Sequence, residues 1–328
     1  MKPLLRLALL CAILGGALLL SVHLGAVRLS LGEIADAVRG RGDPTTVAIV
    51  QRLRLPRSAQ AALVGGALAA AGAVFQALLR NPLAEPYILG VSGGAAVGAV
   101  GAMVFLGAAA APVVVPAAAF AGAVLAVVLV FRIAASVGRA LDTRVLLLAG
   151  VVMGAFFNAC ILLALVFADT ESFRSAIFWM MGSFAGATWT GVGALALYFL
   201  PGLLLLLALA RPLNLLAVGE ETAAHLGNRV EHTKILAYGT ASLLVAAAVA
   251  TSGVIGFVGL IIPHTIRLLW GSDHRFLLPA SVLLGAAFLV MVDALARTVA
   301  APTELPIGVV TAFVGVPVFV WLLRRSDT

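Results

Sequence analysis

Residues 52–101 read RLRLPRSAQAALVGGALAAAGAVFQALLRNPLAEPYILGVSGGAAVGAVG. The stretch opens on three arginines, Arg52, Arg54 and Arg57, set around Pro56. A long apolar segment dense in Ala and Gly follows, is cut by Arg80-Asn81-Pro82, and gives way to a second small-residue segment. Such small side chains let helix backbones approach closely, and in lipid it is packing that holds helices together. Two runs of membrane length, joined by a tight polar turn and headed by a basic cluster, predict a chain that crosses a bilayer and acts across it.

The remaining residues point the same way. Of 328 residues, 62% are hydrophobic and 11% charged, with mean hydropathy +1.14, whereas soluble domains carry about 25% charged residues. The composition predicts an all-α polytopic membrane protein in a single transmembrane domain over residues 1–328. A first span falls within residues 1–27. Others follow at 58–79, 88–107, 112–136, 145–168, 191–210, 233–251, 253–270, 276–299 and 306–323, about ten in all. The first run is too long for a cleaved signal, and Leu10 before Cys11 does not suit a lipoprotein site.

Charge orients the spans. With the N-terminus inside, Arg80, then Arg132, Arg139 and Arg144, then Arg211, Arg229 and Lys234, then Arg267 and Arg275, and finally Arg324 and Arg325 all fall on the cytoplasmic side, so both termini are cytoplasmic. The outside receives the long polar stretch 28–57, Asp169 to Glu171, and residues 297–304. The net charge of +7 comes from basic residues standing singly between apolar runs, which suits a lipid interface and predicts no nucleic-acid partner. Cys11 and Cys160 lie within apolar runs and read as small buried hydrophobes.

Motifs for chemistry are few. There is no GxxxxGK[ST] string to cradle phosphates and no HExxH, and no His, Cys and carboxylate cluster has metal spacing. The chain is therefore expected to be no enzyme and to hold no metal or cofactor. Gly90-Val91-Ser92-Gly93 matches the GxSG string of intramembrane serine proteases, with His264 as the base of a remote alternative. The plainer reading of Ser92, after a Pro-rich turn, is a helix cap. Gly90, Gly94 and Gly98 recur every four residues, which predicts a packing face. Asp293 and Arg297, four apart, share a helix face; a local ion pair and a docking surface both remain open for them. Residues 211–228 are too polar to span and predict one or two short helices on the cytoplasmic face, with Glu220 and Glu221 complementing a helix N-terminus. A soluble partner would find its grip there.

Longer motifs now connect. RLPR at 54–57, QALLRNPLAEPYILGVSGGAAVG at 76–98, TRVLLLAG at 143–150, FWMMGSFAGATW at 178–189, GEETAAHLG at 219–227, GFVGLIIPHTIRLL at 256–269, DHRFLLP at 273–279 and ELPIGVVTAFVGVPVFVWLL at 304–323 stand in order along the chain. Together they resemble the permease subunits of type II ATP-binding-cassette importers, the FecCD-type family for iron–siderophores, haem and cobalamin. The resemblance implies ten spans in a bacterial inner membrane and two copies of the chain, surrounded by lipid. It further implies two cytoplasmic ATPase subunits that carry ATP and Mg, and a periplasmic or lipid-anchored substrate-binding protein. Transport would proceed by alternating access at the homodimer interface, with ferric siderophore the first expected cargo, then cobalamin, then haem. An ATPase-independent secondary transporter or channel is the alternative.

The resemblance also implies roles for residues. Arg54, Arg57 and Arg297 would dock the binding protein. Gly219, Glu220, Glu221, Thr222, Ala223, Ala224, His225, Leu226 and Gly227, within a coupling segment of about 212–232, would meet the ATPase. Asn81, Leu83, Asp142 and Thr143 would form the inner gate, with Asp142 standing where the cobalamin permease has a small hydroxyl residue.

Overall fold

The computed structural model describes residues 2–25, 27–107, 113–137 and 142–326, and within them regular structure is entirely helical. Arg139 and the connection at 108–112 lie outside the described residues. The helices are α1 (Pro3–His23), α2 (Leu31–Val38), α3 (Pro44–Ala48), α4 (Leu55–Leu78), α5 (Val91–Leu106), α6 (Val114–Val137), α7 (Thr143–Val166) and α8 (Thr170–Met180). They continue as α9 (Trp189–Ala208), α10 (Ala210–Val218), α11 (Glu220–His225), α12 (Val230–Ser252), α13 (Val258–Trp270), α14 (His274–Thr298) and α15 (Ile307–Ser326).

The stretch 52–101 supplies the centre of the bundle. Every residue of α4 from Val64 to Leu78 is buried, as befits a helix that is apolar on all sides. It is walled by α12, α13 and α14. Its small residues set the distances: a Cβ on Gly65 would lie 2.2 Å from the Gly285 carbonyl oxygen of α14, and one on Gly72 would lie 1.9 Å from the Gly259 oxygen of α13. The same device joins α5 to α6, where a Cβ on Gly94 would meet the Gly122 oxygen at 2.4 Å and one on Gly98 the Ala118 oxygen at 2.0 Å. Gly94 and Gly98 thus form the expected packing face, but Gly90 does not belong to it. Gly90 stands at φ +73° as the N-cap of α5, a conformation that costs glycine little, so Ser92 is not the cap either.

The polar stretch 28–57 is less of a loop than its composition predicts. Ser30 and Glu33 form a reciprocal cap at the start of α2, and Asp43 caps α3. From Pro44 the chain runs helically to Leu78 over 35 residues. A π-helical turn, Ile49–Arg54, lets the Leu55 amide reach the Val50 carbonyl five residues back. Pro56 follows; it has no amide to donate to the carbonyl four residues before it, and the wider turn accommodates the interruption.

Among the described residues, seven helices are long and apolar enough to cross a membrane: α1, the continuous Pro44–Leu78 helix, α6, α7, α9, α12 and α14. Three shorter apolar helices, Val91–Leu106, Val258–Trp270 and Ile307–Trp321, occupy the other three expected positions. The span expected at 253–270 begins later because residues 253–257 leave the helix. The outer helices bury only one stripe each, and Cys11 is correspondingly exposed on α1 while Cys160 is half-buried. The expectation of two buried thiols is corrected accordingly: α1 has most of its surface outside the bundle.

Candidate functional site

Three places on this scaffold collect the polar groups of an otherwise apolar chain. At the end of the bundle where α1 finishes, Arg54, Arg57 and Arg297 converge. Arg54 is 6% exposed and donates to the backbone carbonyls of Val22, His23 and Val27. These include carbonyls at the C-terminal end of α1, where a cation is favourable. Arg297 donates to the Ser21 carbonyl at 3.0 Å and its hydroxyl at 2.9 Å, and pairs with Asp293 at 3.1 Å. Arg57 pairs with the same Asp293 at 2.9 Å and grips Glu304 with two parallel hydrogen bonds of 2.9 Å. Asp293 is wholly buried, whereas Glu304 keeps 44% of its side chain exposed. The local pair of Asp293 and Arg297 is therefore present, and the three arginines do lie together. In this state they hold α1, α4, α14 and the 299–306 connection to one another. Glu304 and Ser21 were missed as members of this cluster.

At mid-length the irregular segments meet. The Tyr87 hydroxyl, in a 3₁₀ turn (Pro86–Leu89) before α5, donates to the Ile255 carbonyl at 2.6 Å and accepts from the Ile255 amide at 3.1 Å. The Glu85 carboxylate accepts from the Phe257 amide at 2.7 Å, holding Phe257 at φ +70°. Ser183 donates its amide to Ser252, and the Ile307 and Gly308 amides donate to Gly182 and Met181. Unwound backbone in lipid survives only where protein satisfies it; here two breaks satisfy each other. Beside them lies an apolar groove of about 660 Å³, lined by Met180, Met181, Val254, Phe257, Phe313 and Val316 among others.

The third place is the opposite end. Asn81 closes the turn after α4 by accepting the Leu83 amide on its side-chain oxygen at 2.9 Å, and Leu83, like Val318 and Phe319 of α15, packs against the Leu260 and Ile261 cluster of α13. Asp142 caps α7 by accepting the Arg144 amide at 2.7 Å; Thr143 opens that helix with a buried hydroxyl. The segment after α9 folds as two short helices, as expected. Gly219, at φ +150°, turns the chain between α10 and α11. Glu221, Thr222, Ala224, His225, Leu226 and Gly227 are exposed, Ala223 is buried and Glu220 is half-exposed. Glu220 pairs with Lys234 of α12 at 2.8 Å.

A catalytic reading of Ser92 finds no support, because both ring nitrogens of His264 are buried without a hydrogen-bond partner. Among the described residues, no group of His, Cys, Asp and Glu is placed to hold a metal ion. Apolar helices, mutually satisfied breaks and a short helix pair on one rim define a membrane permease. The chain belongs to the FecCD transport family, whose model matches residues 11–325. Members of this family are permeases rather than enzymes.

The relatives narrow the setting. An uncharacterised ABC transporter permease protein of Bacillus subtilis, YvrB, is 45% identical over 88% of this chain and 82% of its own length. The cobalamin import system permease protein BtuC of Halobacterium salinarum is 46% identical over 86% of this chain and 75% of its own. An inward-facing structure of a proposed metal-chelate type ABC transporter superposes with TM-score 0.88 at 34% identity, covering 97% of this chain and 98% of that one.

Proposed function

We propose that two copies of this chain form the membrane core of an ATP-driven importer in the bacterial inner membrane, carrying a large metal chelate inward by alternating access. The observation that carries this reading is the agreement, along nearly the whole chain, with an inward-facing metal-chelate type transporter. Cobalamin moves ahead of ferric siderophores and haem as cargo, because a relative named for cobalamin import matches at 46% identity. The groove beside the helix breaks suits such a cargo: bulky ligands need room and apolar walls with few polar contacts.

In this reading the rim formed by Glu221–Leu226 seats the cytoplasmic ATPase. Asn81, Leu83, Asp142 and Thr143 stand at the inner gate. At the outer end a binding protein meets the cluster of Arg54, Arg57 and Arg297. On docking, Arg57 exchanges the half-exposed Glu304 for a carboxylate of the binding protein, while Asp293 keeps the cluster assembled. Charge pairing of this kind sets register and speeds encounter.

The test is reconstitution in vesicles with the cognate ATPase and binding protein, measuring uptake of labelled cobalamin and of a ferric siderophore. Uptake that requires both partners and ATP is expected, with Ser92→Ala fully active. Equal uptake without the ATPase would instead establish the secondary-transporter reading.

A further inference from the structure

We propose that Lys234 and Tyr238 are positioning residues that carry movement of α11 to both elements of the inner gate. The inference rests on the importer reading above and assigns the route by which the ATPase reaches that gate.

Lys234 is 3% exposed, an unusual place for an ammonium in an apolar helix. Its carboxylate partner, Glu220, is the first residue of α11. That helix is a short lever: Gly219 breaks it from α10, and Ala223 is its only buried residue. A push on α11 is therefore felt at Lys234 through a part-buried, charge-assisted hydrogen bond, a class stronger than neutral ones.

Tyr238 lies one turn further along α12, on the same face as Lys234, and is wholly buried. Its ring packs against Phe75 with centroids 5.6 Å apart. Phe75 stands in the last turn of α4, just before the turn that holds Asn81 and Leu83. Phe131 of α6 meets the Tyr238 ring edge-on at 6.0 Å. Beside the Tyr238 hydroxyl lies that of Thr143, the first residue of α7. Tyr238 thus touches one gate element with its ring and faces the other with its hydroxyl. The two hydroxyls lie buried side by side. Coupling between distant sites is carried by chains of packed and hydrogen-bonded side chains of this kind.

The experiment compares ATP hydrolysed per substrate imported in reconstituted complexes of wild type, Lys234→Met, the exchange Glu220→Lys with Lys234→Glu, and Tyr238→Phe. Bound ATPase and gel-filtration behaviour are checked in each. Lys234→Met and Tyr238→Phe are expected to raise the ratio about fivefold, the lower range of allosteric coupling, with ATPase binding intact. The charge exchange is expected to restore coupling. If Lys234→Met does not assemble, Glu220→Gln gives the same reading from the half-exposed side. Wild-type ratios in the single variants would overturn the proposal, as would an exchange variant that stays uncoupled while Lys234→Met is uncoupled. A wild-type complex without ATP-driven uptake would instead overturn the importer reading itself.

Discussion

Substituting Asp293 by Asn tests how the arginine end is held together. The carboxylate is fully buried and serves two guanidinium groups, Arg57 at 2.9 Å and Arg297 at 3.1 Å, whose side chains are 11% and 9% exposed. Asparagine keeps the shape and removes the charge, leaving two largely buried cations. Breaking a buried ion pair by removing one partner costs about 3–5 kcal/mol. Glu304 still serves Arg57, so the lower end of that range applies, about 3 kcal/mol, or roughly a hundredfold in the folded-to-unfolded ratio. The assay is denaturation of the purified protein in one detergent, followed by the monodisperse fraction on gel filtration. Adding Arg297→Met to Asp293→Asn is expected to recover part of the loss, because it removes a cation the first change left unpaired. A single variant within about 1 kcal/mol of wild type would refute the reasoning, being no worse than an exposed pair. So would a double variant weaker than Asp293→Asn alone.

Two further outcomes are expected. Gly94→Val, which drives a side chain into the Gly122 carbonyl, should destabilise by at least about 1–3 kcal/mol, while Gly15→Val, with nothing within 4 Å, should be near neutral; equal effects in the same denaturation assay would contradict the backbone contact. Glu85→Ala, which leaves the Phe257 amide without its acceptor, should destabilise by about 1–3 kcal/mol, and wild-type stability in the same assay would count against this bond.

The positions of the apolar helices were legible because composition and length suffice to mark them. Their ends were less so. Residues 253–257 are apolar enough to pass for the start of a span, and only Gly253 and Gly256 hinted that the chain unwinds there; what stabilises the break is Tyr87 and Glu85, some 170 positions away. The arginines pose the same difficulty. Arg54 and Arg57 looked like solvent-facing charges because their partners are not local. Arg54 is tied to backbone carbonyls of the first helix and its connection, and Arg57 to carboxylates 236 and 247 positions on. A charge in a polar stretch reads as exposed until its long-range partner is known. The helix pair after α9 was easier, since amphipathic short helices with acidic starts carry their own local signature.

The crossings of α4 with α13 and α14 place backbone directly on backbone at Gly72–Gly259 and Gly65–Gly285. Peptide groups in contact have no rotamer to change. The three helices are bound to travel as one block through any working cycle, and their amides should be the last in the molecule to exchange with deuterium. The hinges that let a cargo pass must then lie where side chains, not peptide groups, make the contact, as at the small lever of α11, held to α12 by Glu220 and Lys234.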